Sequence, residues 1–326
     1  MILKIEYPVR SGSMVSICSL EERPELIGQL RAFLNLSLER DFISREFFNR
    51  VILEDPNQES KYILFAFEKR ELVGTLIGVR RIKAPSDLVK RDKEVAWIKI
   101  LAIHPMYRTH EIFTKLLNEF ESLVRDYGIK RIRVCDFASW YFSPGLDIQY
   151  EYYLDMFLRE RFRKVGECVN YELDMMYFHV PQRIIKVEEL LKRNGVTFRE
   201  AKQEDRNRVV KWVYENFSSC WAYETELGFE REEAGVWIAE NAKKDLLGFS
   251  VYGALESSWF GPIGVSEKVR GRGIGSVLLY KCLLSLRALG RRYVIIPWTG
   301  HLFFYSQLSI IKEVRHYWKM EKQLSS

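Results

Sequence analysis

The sequence predicts an α/β fold with mixed sheets, written twice in tandem. Three observations carry this. Apolar strand-like runs alternate with amphipathic helical patterns, the same order of elements occurs in both halves of the 326 residues, and matched residues in the halves keep a near-constant offset. The composition, 47% hydrophobic and 29% charged, is that of an ordinary globular chain. At about 150 residues per domain, the length suits two domains.

In the second half VTFREA (196–201) reads as a strand and 203–217 as a helix. VWIAEN and LLGFSVYGA flank the polar turn AKKD as a hairpin. WFGPIGV (259–265) is a further apolar strand, followed by a helix from Gly275 to Leu289 that Gly290 closes. YVIIPW (293–298) reads as a buried strand, and HYWKMEK supplies a last alternating one.

The first half repeats the order. MVSICS (14–19) is a strand, 22–36 a helix with Pro24 in its opening turn, KYILFAFE and ELVGTLIGV a hairpin, and EVAWIKILAI (94–103) a strand. In the next helix Phe113, Leu116, Leu117, Phe120, Leu123, Val124 and Tyr127 recur at three- and four-residue steps, predicting one buried face. Gly128 ends that helix and RIRVCDF (131–137) is the next strand.

Arg108 precedes Gly128 by 20 residues and Arg270 precedes Gly290 by 20, an offset of 162. At the hairpins the offset from Gly74 to Gly248 is 174, and the polar stretch 83–93 accounts for the difference as a longer loop in the first copy. A repeat of this size is a duplicated domain. The expected organisation is a first domain over 1–180, a helical connector over 181–195 ending at Gly195, and a second domain over 196–326.

The remaining composition is mainly exclusive. The net charge of +6, spread over so long a chain, suits an anionic small molecule better than a nucleic acid, so no nucleic-acid partner is expected. No run of about 18 apolar residues occurs, so no membrane span is expected. The amino-terminal MILKIEYPVRSGSMV lacks the pattern of a secretory signal, which predicts a cytoplasmic protein. Cys18, Cys135, Cys168, Cys220 and Cys282 stand alone and read as reduced and mostly buried. The five histidines form no ligand-spaced pair, so no metal is expected.

The segment carrying chemistry is GPIGVSEKVRGRGIGSVLLYKCL. A strand ends at Val265, and Gly271, Gly273 and Gly275 open a helix. Glycines permit left-handed torsions and close backbone approach, so successive N–H groups can line one concavity. A helix amino terminus adds partial positive charge, and Arg270 and Arg272 add formal charge beside it. The pattern describes a seat for a pyrophosphate. It matches neither GxGxxG nor GxxxxGK[ST].

Arg270, Gly273 and Gly275 as RxxGxG, after PIGV and before an apolar helix, resemble the acyl-coenzyme A motif of the GNAT N-acetyltransferase superfamily, and the element order over about 196–322 is similar to that family's. The resemblance implies two tandem acyl-CoA N-acyltransferase domains, acetyl-CoA as co-substrate, and direct acetyl transfer to an amine of a small molecule or protein. It places the pantetheine arm along the backbone of Ile263, Gly264 and Val265, and the pyrophosphate on the amides of Gly271, Arg272, Gly273, Ile274, Gly275 and Ser276 after Arg270. For Ile263 and Val265, side-chain packing in the core is compatible with that role.

The departing thiolate must gain a proton and the amine must lose one. A phenol of pKa near 10 can protonate a thiolate of pKa about 8.5, and Tyr305 in HLFFYSQ stands where the family's Tyr is expected; core packing is its alternative. Where the family often has an Asn, Trp298 stands. The pattern singles out no general base. Glu256 is the nearest carboxylate and the candidate base, directly or through water, with an ordinary loop residue as the alternative. Glu224 and Glu226, with Trp221 and Tyr223, lie where the family builds its acceptor pocket, or in a mobile loop over the core.

The first copy reads IHPMYRTHEIFTKLL: Arg108 is kept, but Glu111 and Phe113 replace the glycines. A carboxylate and a large ring are unsuited to a pyrophosphate, so the first domain is expected to be degenerate. Ser143 takes the register position of Tyr305, with Tyr141 or Tyr152 nearby. An aminoacyl-tRNA-dependent transferase of the same fold and a non-catalytic acyl-CoA sensor are the competing functions. A monomer or homodimer is expected.

Overall fold

The computed structural model describes residues 14–324; the amino-terminal stretch 1–13, read above for a secretory signal, lies outside them. The chain divides into two compact units. One comprises Met1–Phe137, Tyr141–Gly166 and Trp318–Ser326; the other comprises Ala138–Trp140 and Glu167–Tyr317.

The first unit runs β1 (Val15–Ser19), α1 (Ile27–Ser37), α2 (Arg45–Phe48), β2 (Ile63–Glu68), β3 (Glu71–Arg80), α3 (Ser86–Val89), β4 (Val95–Ile103), α4 (His110–Arg125), β5 (Arg131–Val134), β6 (Leu146–Asp147) and α5 (Glu151–Arg159). Strands β1 to β4 pair antiparallel in sequence order, and β4 pairs parallel with β5 over Val95–Ile98. Helix α4 buries Phe113, Leu116, Leu117, Phe120 and Val124, the amphipathic stripe expected of a helix on a sheet. Tyr127, expected on that face, is exposed. The helix ends at Arg125, so Tyr127 leaves its register, and its ring instead takes the Arg80 guanidinium at 3.7 Å. The polar stretch 83–93 is ordered by the buried Arg81–Asp92 pair and by Asn57, whose Oδ1 accepts from the amides of Ile82, Lys83 and Ala84.

Two long strands pass between the units' sequences. β7 (Arg163–Asp174) begins in the first unit and from Glu167 belongs to the second; β13 (Ile311–Gln323) begins in the second and from Trp318 belongs to the first. The first sheet is therefore completed by the chain's own end, with Met320–Gln323 antiparallel to β5. The final strand read from HYWKMEK as part of the second copy is shared, and a partition at residues 180 and 196 does not describe it.

The second unit continues with α6 (Gln182–Arg193), β8 (Thr197–Glu200), α7 (Arg206–Asn216), α8 (Ser219–Glu230), β9 (Gly235–Glu240), β10 (Leu246–Tyr252), β11 (Phe260–Val265), α9 (Ile274–Ala288), β12 (Tyr293–Thr299) and α10 (Leu302–Tyr305). Strands β8 to β11 form a four-stranded antiparallel sheet, while β12 pairs with β7. The β9–β10 turn is shaped by Asn241, whose Oδ1 accepts from the amides of Lys243 and Asp245. At the start of α7, Arg199 and Arg208 join the buried carboxylates of Asp205 and Glu240, tying β8, α7 and β9 together.

Helix α9 packs on one face of this sheet, burying Leu278, Leu279, Cys282, Leu283 and Leu286. Helices α7 and α8 cover the other, where Trp212, Phe217 and Trp221 surround Phe249. The segment 219–230, for which a mobile loop was one expectation, is a helix. Ser218 caps it by accepting from the Trp221 amide at 3.2 Å, and Trp221, Thr225 and Gly228 turn toward the sheet.

Candidate active site

The site is built on the edge of β11. In its ladder with β10, Val265 faces Gly248 and Gly264 faces Phe249, and the Ser266 amide donates to Leu247 O. Antiparallel ladders alternate the direction of their main-chain groups. Gly264 therefore bonds to β10, while Ile263 and Val265 direct N–H and C=O to the opposite edge. Of the three residues expected to offer backbone to a pantetheine arm, Gly264 is thus turned inward, and Phe217 lies against its Cα.

That opposite edge has no continuous partner among the described residues. β11 and β12 meet only at the Trp259–Ile295 bridge, where the Ile295 amide donates to Ser258 O at 3.1 Å. Between Tyr252–Phe260 and Ser250–Ile263 the register gains one residue on β11, a bulge at Gly261–Pro262. The Ile263 and Val265 side chains pack into the core on the α9 face, so core packing and an open main-chain edge coexist.

The loop continues this edge. Gly271 and Gly273 have φ of +78° and +89°, the left-handed region that other residues enter at a cost. A Cβ on Gly273 would also lie 2.5 Å from Val187 Cγ1 of α6. No side chain caps α9. The amides of Gly271, Arg272, Gly273, Ile274, Gly275 and Ser276 have no acceptor among the described residues. A row of six such donors at a helix amino terminus is a receptor for an anion. The two arginines differ. Arg270 braces the loop, its Nε donating to Val265 O at 3.2 Å and its Nη1 to Glu267 at 3.1 Å. Arg272 is exposed and has no partner among the described residues.

Tyr305, at the end of α10, is 7% exposed and packs against Tyr171, Phe260 and Phe304, with ring centroids at 5.7, 6.3 and 4.9 Å. Phe304 also lies beside Gly275, which brings α10 to the loop. The Tyr305 hydroxyl makes no hydrogen bond among the described residues. Burial, and next Tyr171, push its phenol up, so it remains protonated. Trp298 stands where an Asn is expected, and the buried Asn170 of β7 accepts from its amide at 2.9 Å while donating to the Tyr317 hydroxyl at 3.2 Å.

Glu256 lies in the turn before β11, where one of its carboxylate oxygens accepts from both the amide and the hydroxyl of Ser257. Glu226 is paired with Arg206 at 2.7 Å. Glu224 differs from both. It lies in the sheet-facing stripe of α8, one turn from Trp221, whose ring stacks 5.3 Å from Phe217. It is 9% exposed and has no ionic or hydrogen-bond partner among the described residues. Burial alone pushes its carboxyl up to about 8. Tyr305 belongs to the α9 face of the sheet and Glu224 to the α8 face.

In the first unit the corresponding features are closed. The outer edge of β4 is met by Tyr153, whose hydroxyl accepts from the Ile103 amide at 2.9 Å and lies 3.4 Å from Ile103 O. Tyr153, rather than Ser143, Tyr141 or Tyr152, is the tyrosine brought to that edge. Thr109 caps α4 by accepting from the Ile112 amide. Arg108 donates to Ser37 O and Glu39. Phe113 is fully buried against Phe157 at 4.9 Å, and Glu111 pairs with Lys115.

Residues 20–142 match the family of GNAT acetyltransferases. Solved structures resemble nearly the whole chain. A tandem GNAT protein from the clavulanic acid biosynthesis pathway has a TM-score of 0.65 at 15% identity, over 96% of this chain and 99% of that one. Over its length the chain has the fold of tandem GNAT proteins. A GNAT protein from Sphaerobacter thermophilus matches at a TM-score of 0.63 and 14% identity, over 97% of each chain. A glucosamine N-acetyltransferase region of a fungal multi-domain GH3 β-N-acetylglucosaminidase matches at 0.75 and 15% identity, over 96% of this chain. The present chain spans 38% of that longer protein. At these identities the likeness is one of fold. No curated protein sequence matches the chain. The segment matched by the family lies almost wholly in the first unit, whereas the open edge and the glycine loop lie in the second.

Proposed function

We propose that the second unit is an acetyl-CoA-dependent N-acetyltransferase working by direct transfer to an amine. The observation that carries this is the continuity of two backbone surfaces. The outward main-chain groups of Ile263 and the outward N–H of Val265, whose C=O accepts from Arg270, suit the amides of a pantetheine arm, and they lead into the six acceptorless amides of Gly271–Ser276, which suit a pyrophosphate. Acyl-CoA carries both groups in that order.

In the proposed reaction the amine nitrogen attacks the thioester carbonyl. The C–N bond forms, the C–S bond breaks, and the sulfur leaves as thiolate. Tyr305, kept neutral by burial, donates its hydroxyl proton toward that sulfur. The ammonium proton of the acceptor goes to Glu224, directly or through a water. A carboxyl pushed up to about 8 can take a proton from an amine more readily than an ordinary carboxylate. Because Glu224 and Tyr305 lie on opposite faces of the sheet, this assignment has the amine approach the thioester from the α8 side and Tyr305 meet the sulfur from the α9 side. Glu256, the other carboxylate near β11, is engaged by Ser257. Positioning the amine against the thioester supplies the rest of the acceleration.

Calorimetry with acetyl-CoA, followed by thiol release against an amine panel that includes glucosamine, a polyamine and a lysine peptide, tests the proposal. Saturable binding with amine-dependent thiol release is expected. Binding without turnover on any amine would favour an acyl-CoA sensor, and activity requiring charged tRNA would favour the aminoacyl-transferase reading.

A further inference from the structure

In the first unit a pocket of about 330 Å³ opens where three elements end, α4 at Arg125, α5 at Arg159 and β13 at Gln323. Its walls carry four cations, Arg125, Arg159, Arg161 and Lys322, against two acids, Glu121 and Glu160. Lys322 is paired with Glu121, and Arg159 with Asp155 at 2.9 Å. Glu160 is held by Thr114 at 3.1 Å and His110 at 3.0 Å. Arg125 and Arg161 are exposed, and their guanidinium groups have no partner among the described residues. One pocket is thus lined by two unpaired guanidinium groups that come from two different helix ends.

Arg161 holds its place at a conformational cost. Its amide donates to Leu158 O at 3.1 Å and the Phe162 amide to Phe157 O at 3.0 Å, the helix closure that sets one residue in the left-handed region. Helices α6 and α9 close by the same pair of bonds and set Gly195 and Gly290 there. α5 sets Arg161, with φ of +67°, where a side chain is destabilising. Helix electrostatics do not call for it, since Arg159 already supplies a cation to the last turn of α5. Unfavourable backbone conformations cluster at functional sites, and this one sets a guanidinium on the pocket wall.

Two guanidinium forks suit one compact dianion with several oxygens, which is the chemistry of a phosphate monoester. The pocket, at about 330 Å³, has the size of a small-molecule site and exceeds what that group fills alone. The remaining lining offers acceptors. One carboxylate oxygen each of Glu121 and Glu160, and the side-chain carbonyl of Gln323, have no partner among the described residues. Such acceptors take hydroxyl groups, and their negative charge opposes a second anionic group on the ligand. We propose that the first unit holds a binding site for a phosphorylated polyol, with Arg125 and Arg161 on the phosphate and Glu121, Glu160 and Gln323 on the hydroxyls. The site does not depend on the acyl-CoA reading of the second unit, and it gives the first unit a ligand of its own.

The test is calorimetry of the full chain with glucose 6-phosphate, ribose 5-phosphate and glycerol 3-phosphate, set against inorganic phosphate. At least one of the phosphorylated polyols should bind once per chain, roughly tenfold or more tightly than inorganic phosphate. Arg125→Ala and Arg161→Gly should each weaken that binding by roughly tenfold or more, the scale of a lost charge-assisted contact. Arg161→Gly should at the same time raise the melting temperature, because glycine enters the left-handed region without strain, so that misfolding does not account for its loss of binding. Binding of none of the three compounds, inorganic phosphate bound as tightly as the best of them, or affinity retained by either variant would overturn the proposal. A lower melting temperature of Arg161→Gly would assign the arginine to the fold instead, and would overturn it as well.

Discussion

Glu224 and Tyr305 are two largely buried titratable groups whose polar ends have no partner among the described residues. Replacing Tyr305 by Phe removes one oxygen from an apolar nest. Turnover should fall by about 10²-fold, the lower range for a lost general acid, while acetyl-CoA affinity measured by calorimetry stays within about twofold. Normal turnover would reduce Tyr305 to a packing residue. Glu224→Gln should lower kcat by about 10²-fold or more and remove a rise in rate with pH centred near 8, where the carboxyl ionises. The same substitution has a stability signature. A carboxyl whose folded pKa lies above its unfolded value destabilises the protein increasingly as pH rises from the unfolded value, about 4.3, to the folded one. Glu224→Gln should therefore stabilise the protein relative to the unaltered chain progressively between those limits and by a constant amount above them, as read from denaturant midpoints. Asp205 has the opposite sign. Arg199, the Lys202 amide and Arg208 hold it well below the usual carboxylate range, so its stabilisation is present above about pH 4 and lost on acidification. Tyr305 was legible from its place after YVIIPW. Glu224 could be named as a candidate, but its lack of a partner is a property of its packed surroundings.

At the scale of elements, the two copies of one strand–loop–helix unit have diverged. In the second, an uncapped helix begins at Gly273 and leaves its amides open; in the first, Thr109 caps the helix and Arg108 is engaged by Glu39. The loop glycines also differ among themselves. Gly273→Ala must place a methyl 2.5 Å from Val187 in a left-handed conformation, whereas a Cβ on Gly275 meets its nearest atoms at 3.4 Å and 3.6 Å, ordinary van der Waals contact. Gly273→Ala should lower the melting temperature and weaken coenzyme binding, and Gly275→Ala should do neither by more than a small margin. Equal behaviour of the two variants would remove α6 from contact with the loop. The glycine spacing was readable in the sequence because local torsion demands leave a local signature. Helix α8 was not read as a helix, because its residues are apolar or aromatic over much of its circumference and lack a strong helical stripe. Its identity rests on the Ser218 cap and on packing against Phe249.

For the whole molecule, the coenzyme stoichiometry and the role of the last strand are the open consequences. With β4 met by Tyr153 and α4 capped, the chain should bind one acetyl-CoA, not two, by calorimetry. A stoichiometry of two would show that the first unit keeps a site. Because Met320–Gln323 complete the first sheet beside β5, ending the chain after Tyr317 should accelerate amide hydrogen exchange in Arg131–Val134 first. Unchanged protection there would contradict the strand's place. For the same reason residues 1–180 alone lack a strand of their sheet, and tests of the first unit belong on the full chain. The sequence by itself determined the order of elements, the duplication marked by Arg108 and Arg270, and the loop after β11, since periodicity and glycine placement report local burial and torsion. Only the tertiary structure decided which edge of β11 stays open, that Glu224 is left without a partner among the described residues, that α6 lies on the glycine loop, and that the final strand completes the first sheet. Each of these depends on which distant segment supplies the neighbouring atoms, and a local pattern carries no record of that choice.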